Sequence, residues 1–380
     1  MKVGPDSMIY VAEAGSGGNL VAPSDQSKSG FTGRISKIDP ATGTVTVVAA
    51  NLPSNDTGMG VLGPADVAFV GSTLYYVQTH GGAAFGFPSN PTGVYRVNNN
   101  GTVKLVADIG AFNIANPVDD VKNKVQQDVD VGGNPYSMIA RDNALFVVDG
   151  NQNQVMQVTT TGTITRMAEF HGHPITTGIT YSGNGPFYVS ALGHFPFAPE
   201  DGRVFQVAYP TGTVTEVASG YSALTDVQTS ASGQLYALQI ADQQLSASFS
   251  GKVLKVNADG TLTPIITGLQ YPTSMAFAGD TLYIVNDGIN SIGTSEVWAV
   301  TNFSAIMPLA PVPTAAPMQP PPAPAPPVAP RVGVIAGPNT GDGGSAAGAG
   351  SSILGFAALL GLVGGIALGG SGIGIARKRR

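Results

Sequence analysis

The chain has 380 residues, of which 51 are Gly, 28 are Pro and none is Cys, and only 11% are charged. That composition suits many tight turns between short strands rather than long surface helices, and it excludes a disulfide framework, a thiolate metal site and a thiol nucleophile. Up to Ala305 there are 13 Lys and Arg against 23 Asp and Glu, which argues against a nucleic-acid binder, whose phosphate contacts need a basic face.

In chain order, Met1-Lys2-Val3-Gly4-Pro5-Asp6-Ser7 reads as the end of an inner strand and its turn, comparable with Ala276-Phe277-Ala278-Gly279-Asp280 further on. A second strand follows at Met8 to Val11, then a Gly/Ser-rich insertion, then a hairpin in which Gly33-Arg34-Ile35 leads to Asp39-Pro40-Ala41-Thr42-Gly43-Thr44. The hairpin is written again as Gly93-Val94-Tyr95-Arg96-Val97 before Asn98-Asn99-Asn100-Gly101-Thr102. It returns as Val155 to Val158 before Thr161-Gly162-Thr163, and as Gly202-Arg203-Val204 before Pro210-Thr211-Gly212-Thr213. Its clearest copy joins Val253–Val256 to Leu262–Ile266 through Asn257-Ala258-Asp259-Gly260, and a sixth begins at Glu296-Val297-Trp298 and stops half way. In each of the five complete copies, two runs of alternating residues meet at a Gly able to take the positive φ that closes a hairpin.

Ahead of the later hairpins stand strands of one type, starting at Leu74, Leu145, Phe187, Leu235 and Leu282, and the last four starts are 42, 48 and 47 residues apart. A period in the forties with four short strands per unit is the mark of propeller blades, the longer gaps being insertions. The sequence therefore predicts an all-β fold, a six-bladed β-propeller of four-stranded blades over residues 1–305. Blade six lacks an outer strand after Thr301, and nothing precedes Met1 to supply one. The expectation is that a closing strand and a signal peptide precede Met1 in the natural reading frame, the alternative being an open ring with an exposed edge.

The insertions follow second strands and so leave one end of the ring, where a propeller keeps its binding surface. That of blade two holds His80, Phe85 and Phe87. The stretch from Asp108 to Gly133 predicts one short helix near Ala111 to Ala115 and carries Asp119, Asp120, Asp128 and Asp130. Blade four contributes His194, Phe195 and Phe197. With Tyr136 and Tyr271, these aromatic residues are candidates for binding a glycan, a peptide or an aromatic metabolite; the alternative is that they pin their own loops. Glu13, Asp66, Asp149, Asn286 and Asp287, with Asn134, Asn151 and Asp226, fall where inner strands end on a central funnel, and such oxygens suit Ca2+. Asp149-Gly150-Asn151 and Asn286-Asp287-Gly288 occupy equivalent positions, although Asx-Gly after a strand is also a plain turn signal. Four histidines occur, His80, His171, His173 and His194. No Gly-x-Ser-x-Gly elbow, His-Glu-x-x-His or phosphate loop is present, so no catalytic residue is assigned.

After Ala305 the composition changes. Residues 306–352 read as a disordered Pro/Ala/Gly-rich stalk, with Pro308 to Pro330 an extended polyproline spacer. Ile353 to Ala376 is an uncharged run long enough to cross a bilayer as a helix, and Arg377-Lys378-Arg379-Arg380 would hold that end in the cytoplasm with the propeller outside. Gly337-Pro338-Asn339-Thr340-Gly341 ahead of it resembles a sortase sorting signal, built on Pro338, Asn339, Thr340 and Gly341, with Gly337 where Leu is usual. The expectation is a cell-surface protein held in the membrane, or in the cell wall if sortase cuts it.

Tyr10-Val11-Ala12-Glu13-Ala14-Gly15-Ser16-Gly17-Gly18, Gly63-Pro64-Ala65-Asp66-Val67, Asn134-Pro135-Tyr136-Ser137, Gly193-His194-Phe195-Pro196-Phe197 and Tyr271-Pro272-Thr273-Ser274 resemble, in order and spacing, the ScyD/ScyE family of exported bacterial propellers. The resemblance runs from about Met8 to Val300. It implies a six-bladed propeller of the NHL or lactonase kind and no particular reaction. Two functions follow as expectations: a surface-displayed binding or scaffold module for an extracellular small molecule, glycan or protein, or an exported metal-dependent lactonase- or hydrolase-like enzyme. The reading leans to the first because no complete catalytic constellation can be assembled. A funnel mouth filled by apolar side chains would favour it, and a convergent carboxylate cluster would favour the enzyme.

Overall fold

A computed structural model describes residues 1–306 except 59, 125–129, 131, 196, 243–244 and 290–292, together with the backbone of Val332–Ala336 and Gly374–Ala376. The described chain is an all-β, six-bladed propeller. Blade one is Lys2–Val3, Ile9–Glu13, Lys28–Ile38 and Val45–Asp56, with two short extra strands, Leu20–Val21 and Val61–Leu62. Blades two to five each have four antiparallel strands, beginning with the inner strands Pro64–Val70, Pro135–Arg141, Thr176–Tyr181 and Leu224–Thr229. Blade six is Ser274–Ala278, Thr281–Asn286 and Glu296–Val300, and on its outer edge the backbone of Val332–Ala336 and then Gly374–Ala376 continues the sheet. The first of these segments lies in the stretch expected as stalk and the second in the stretch expected as membrane helix. The remainder of both, and the sorting motif Pro338 to Gly341, lies outside the described residues. Among the described residues no helix is long and apolar enough to cross a membrane.

The hairpins form where the repeated sequence places them. Gly43, Gly101, Gly162, Gly212 and Gly260 all have positive φ, between 75° and 101°. Four of them also touch the preceding blade. A Cβ on Gly101, Gly162, Gly212 or Gly260 would lie 3.0, 2.3, 1.9 or 3.0 Å from the carbonyl oxygen of Val48, Val106, Met167 or Val217. Glycine is thus required twice at these tips, for the turn and for the close approach.

The alternating strands bury their apolar faces between blades. Each of six interfaces has its own core, such as Phe146, Val148, Val155 and Phe170 of blade three against Ile179, Phe187, Val189 and Val207 of blade four. The ring closes through Ile9, Val11 and Ile38 of blade one against Ala276, Tyr283, Val285 and Val297 of blade six. Lys2–Val3 is the innermost strand of blade one and lies between the inner strands of blades two and six. The helix expected near Ala111 runs over Ile109–Ala115, capped by the Asp108 carboxylate on the Ala111 N–H.

Candidate functional site: the loop face and the axis beneath it

The inner strands all start at the face that carries the insertions, and the turns into them set the site. Ile175, Ala223 and Tyr271 take φ of 58°, 54° and 40° just before the inner strands of blades four, five and six. Left-handed backbone at such residues is costly, above all for β-branched Ile, and persists only where packing compensates. Here the compensation is an apolar plug on the axis: Tyr136, Ile175, Leu192, Phe197, Ala223 and Ile240 are all buried against one another, with Leu245, Tyr271 and Ile289 packed around them. The Tyr136 hydroxyl donates to the Thr273 carbonyl at 3.3 Å, joining blade three to blade six across the mouth. Burial, and then the charges of Asp226 and Asp66, push that phenol well above its ordinary pKa.

Beneath the plug lie two aspartates of matching position, each latching its blade to the next. Asp66 Oδ2 accepts from the Ser137 hydroxyl and the Met138 N–H, both at 3.0 Å. Asp226 Oδ2 accepts from the Ser274 hydroxyl at 3.2 Å and the Met275 N–H at 2.8 Å. Their environments then diverge, because the Lys2 ammonium sits 2.9 Å from Asp66. Burial raises the Asp66 pKa, yet Lys2, the terminal amino group and the Met138 N–H outweigh it and bring the carboxyl to about 2. Asp226 is raised instead, since burial exceeds the more distant pull of Lys2 and the Met275 bond. On the neighbouring inner strand of blade four, Gly178 leaves room for it: a Cβ there would lie 2.5 Å from Asp226 Oδ1.

Apart from Asp66 and Asp226, the carboxylates considered as metal ligands are engaged separately, each with partners of its own. Glu13 pairs with Arg34 at 2.5 Å. The Asp149 carboxylate accepts from the N–H groups of Asn134, Asn151 and Gln152 and from Asn113 Nδ2, at 2.8 to 3.1 Å, while burial raises its pKa. Asn286 Oδ1 accepts from Gln270 N–H at 2.9 Å, and Asp287 next to it has φ of 60° in the turn. Glu13, Asp149 and Asn286 share one register, the last residue of the second strand, which Gln78 and Gln239 fill in blades two and five. Among the described residues no group of three or more His, Asp or Glu is placed to hold a metal.

The aromatic candidates divide in the same way. Phe85, Phe87, Tyr136 and Phe197 are buried; Phe85 stacks on His80 with centroids 4.0 Å apart, and Phe87 meets Phe31 edge-on at 5.3 Å. Four of the six predicted ligand-binding residues are therefore buried, Phe85 and Phe87 beneath their own insertion and Tyr136 and Phe197 in the plug. Phe195 is 53% exposed and stands edge-on to Phe197 at 5.9 Å. His194, also exposed, pairs with Asp201 at 2.8 Å. Two exposed aromatic residues were not singled out from sequence: Phe249 in the blade-five insertion, 63% exposed, and Phe31 in blade one, 46% exposed. Phe249 lies within Ser248-Phe249-Ser250, and the only sequence signal was an aromatic residue isolated among small polar ones. Ser248 Oγ lies 3.3 Å from the Tyr271 hydroxyl, which ties that insertion to the plug. At the opposite end of the ring a cleft of about 840 Å3 opens between blades one and two beside Tyr10, Phe69 and Arg96, and contains none of the predicted site residues.

No protein-family model matches the sequence, and no curated protein does. Many solved structures match in shape. A nidogen/laminin complex aligns over 74% of this chain and 90% of the other, with TM-score 0.49 and 13% identity. Virginiamycin B lyase from Staphylococcus aureus aligns over 77% and 85%, with TM-score 0.42 and 13% identity. TolB from Acinetobacter baumannii aligns over 78% and 61%, with TM-score 0.47 and 12% identity. The class of the protein is the six-bladed β-propeller, which its own strand order and inter-blade cores define.

Proposed function

We propose that the protein is a binding or scaffold module of the ScyD/ScyE kind, displayed outside the cell, whose recognition surface is the loop face around Phe195, Phe249 and Phe31. The observation that carries this reading is the apolar plug: Tyr136, Ile175, Leu192, Phe197, Ala223 and Ile240 fill the mouth through which a substrate would reach the axis. The carboxylates beneath it are committed to Lys2, to backbone N–H groups and to serine hydroxyls. What remains for a partner on this face is the surface of the insertions, where Phe195 stands on buried Phe197 and Phe31 on buried Phe87. Rings held this way lose little entropy on binding, which suits a glycan, a peptide or a flat organic molecule. The run from Ile353 and the basic tail would anchor the propeller in the membrane once Gly374–Ala376 leaves the edge of blade six, or the cell wall would hold it after cleavage at Thr340.

The test is a screen of glycan and peptide arrays with the wild-type protein and with Phe195→Ser/Phe249→Ser. A ligand held by the first and lost by the second supports the reading. Hydrolysis of lactones by the wild-type protein, dependent on Ca2+ and on Asp226, would replace it with the enzyme reading.

A further inference from the structure

His80 lies at the start of the blade-two insertion and is wholly buried, with its ring held flat against Phe85, interplanar angle 16°. Its protonation can be read from its neighbours. The Ser27 hydroxyl donates to Asp25 Oδ1 and the Ser29 hydroxyl donates to the Phe85 carbonyl. Both serine oxygens can then only accept from Asn55, whose Nδ2 lies 2.6 and 2.8 Å from them. Asn55 therefore turns its Oδ1 to His80 Nδ1, 3.3 Å away, and Nδ1 must carry the hydrogen. In the neutral ring this leaves a lone pair on Nε2, and Nε2 faces Asp130 Oδ2 at 3.5 Å. Neither atom has a hydrogen-bond partner, and both are buried.

Two buried acceptors aimed at each other repel unless a cation lies between them. We propose that His80 Nε2 and Asp130 Oδ2 are the two fixed ligands of a divalent-cation site of the Zn2+ type, joining the blade-two insertion to the segment that enters blade three. Two bonds of about 2.1 Å meeting near the tetrahedral angle separate their ligand atoms by about 3.4 Å. The surrounding groups are those such a site uses. Asn55 fixes the tautomer by accepting from the non-ligating ring nitrogen. The Asp130 N–H donates to Asn151 Oδ1 at 2.9 Å, which fixes the backbone that carries the carboxylate. One imidazole with oxygen donors favours Zn2+ or Co2+ over Ca2+.

The experiment uses the full chain, stripped with chelator and then titrated with Zn2+ by calorimetry and with Co2+ by visible absorption. One equivalent is expected to bind, with a ligand-field band from Co2+. Asp130→Asn, which preserves shape, is expected to weaken binding at least tenfold and to remove the band while the circular dichroism is unchanged. Asn55→Ala is expected to weaken binding about tenfold, because the tautomer is no longer fixed. No binding, or binding that Asp130→Asn leaves untouched, would overturn the proposal. So would ring nitrogen chemical shifts showing His80 doubly protonated at neutral pH in the metal-loaded sample, since a proton would then hold the gap.

Discussion

Tyr136 and Thr273 meet across the propeller axis, the hydroxyl of blade three donating to a carbonyl of blade six at 3.3 Å. This contact is the polar edge of the apolar plug, and the stability of the closed mouth can be divided between the two. Tyr136→Phe removes one hydrogen bond and leaves the ring in place, so it should cost about 1 kcal/mol. Tyr136→Ala opens a cavity among Ile175, Leu192, Phe197 and Ile240 and should cost about 3–5 kcal/mol. Urea unfolding of the two variants measures both.

The two channel aspartates should differ in how their value depends on pH. Asp66 has its pKa depressed to about 2 in the folded chain, so its stabilisation is present above the ordinary carboxylate range and is lost as pH falls through 2. Asp66→Asn should therefore cost roughly 2 kcal/mol or more at pH 7, because Lys2 loses its counterion, and the difference from wild type should shrink steadily below about pH 4. Asp226 is raised, so its protonated form is favoured by folding and its contribution declines as pH rises through its folded pKa. Asp226→Asn should be nearly neutral at pH 7. Urea midpoints at pH 7, 4 and 3 for both variants check the opposite signs.

Hairpin glycines should be intolerant for a reason that their turn alone does not supply. At Gly212 an added Cβ would stand 1.9 Å from the Met167 carbonyl, whereas at Gly183, also of positive φ, it would meet nothing within 4 Å. Gly183→Ala should cost about 1 kcal/mol, the strain of the backbone alone. Gly212→Ala should cost several times more, because it forces blade four away from blade three. Thermal unfolding of the pair distinguishes the two terms.

The loop-face aromatics should be dispensable for folding. Phe195 and Phe249 are 53% and 63% exposed, so replacing both with Ser should move the melting temperature by no more than a few degrees. Phe197→Ser, two residues from Phe195 but buried in the plug, should be severely destabilising. Melting curves of the two variants separate ligand-facing rings from structural ones.

The ring was legible because its rule is local. Alternating residues and a Gly at each hairpin tip locate the first five blades, whose tip glycines do take positive φ, and the half-hairpin at Glu296-Val297-Trp298 marks the sixth. The plug was not legible. It depends on left-handed turns at Ile175, Ala223 and Tyr271, residues with no turn signature, and on side chains that meet only once the ring is closed. For the same reason Asp66 and Asp226 could be placed at the funnel but not paired with Ser137 and Ser274. The Phe-rich insertions looked like a binding surface because sequence cannot tell a ring that points outward from one tucked beneath its loop: Phe195 is exposed and Phe197 is buried.

The axis is closed by the plug, and the carboxylates beneath it are already engaged. Terbium luminescence tests this most directly, because Tb3+ takes Ca2+ sites and the Tyr136 ring stands beside Asp66 and Asp226 as an antenna. No saturable sensitised emission that is lost in Asp226→Asn is expected. One equivalent of Tb3+ emission abolished by Asp226→Asn and displaced by Ca2+ would contradict it and place a metal in the channel.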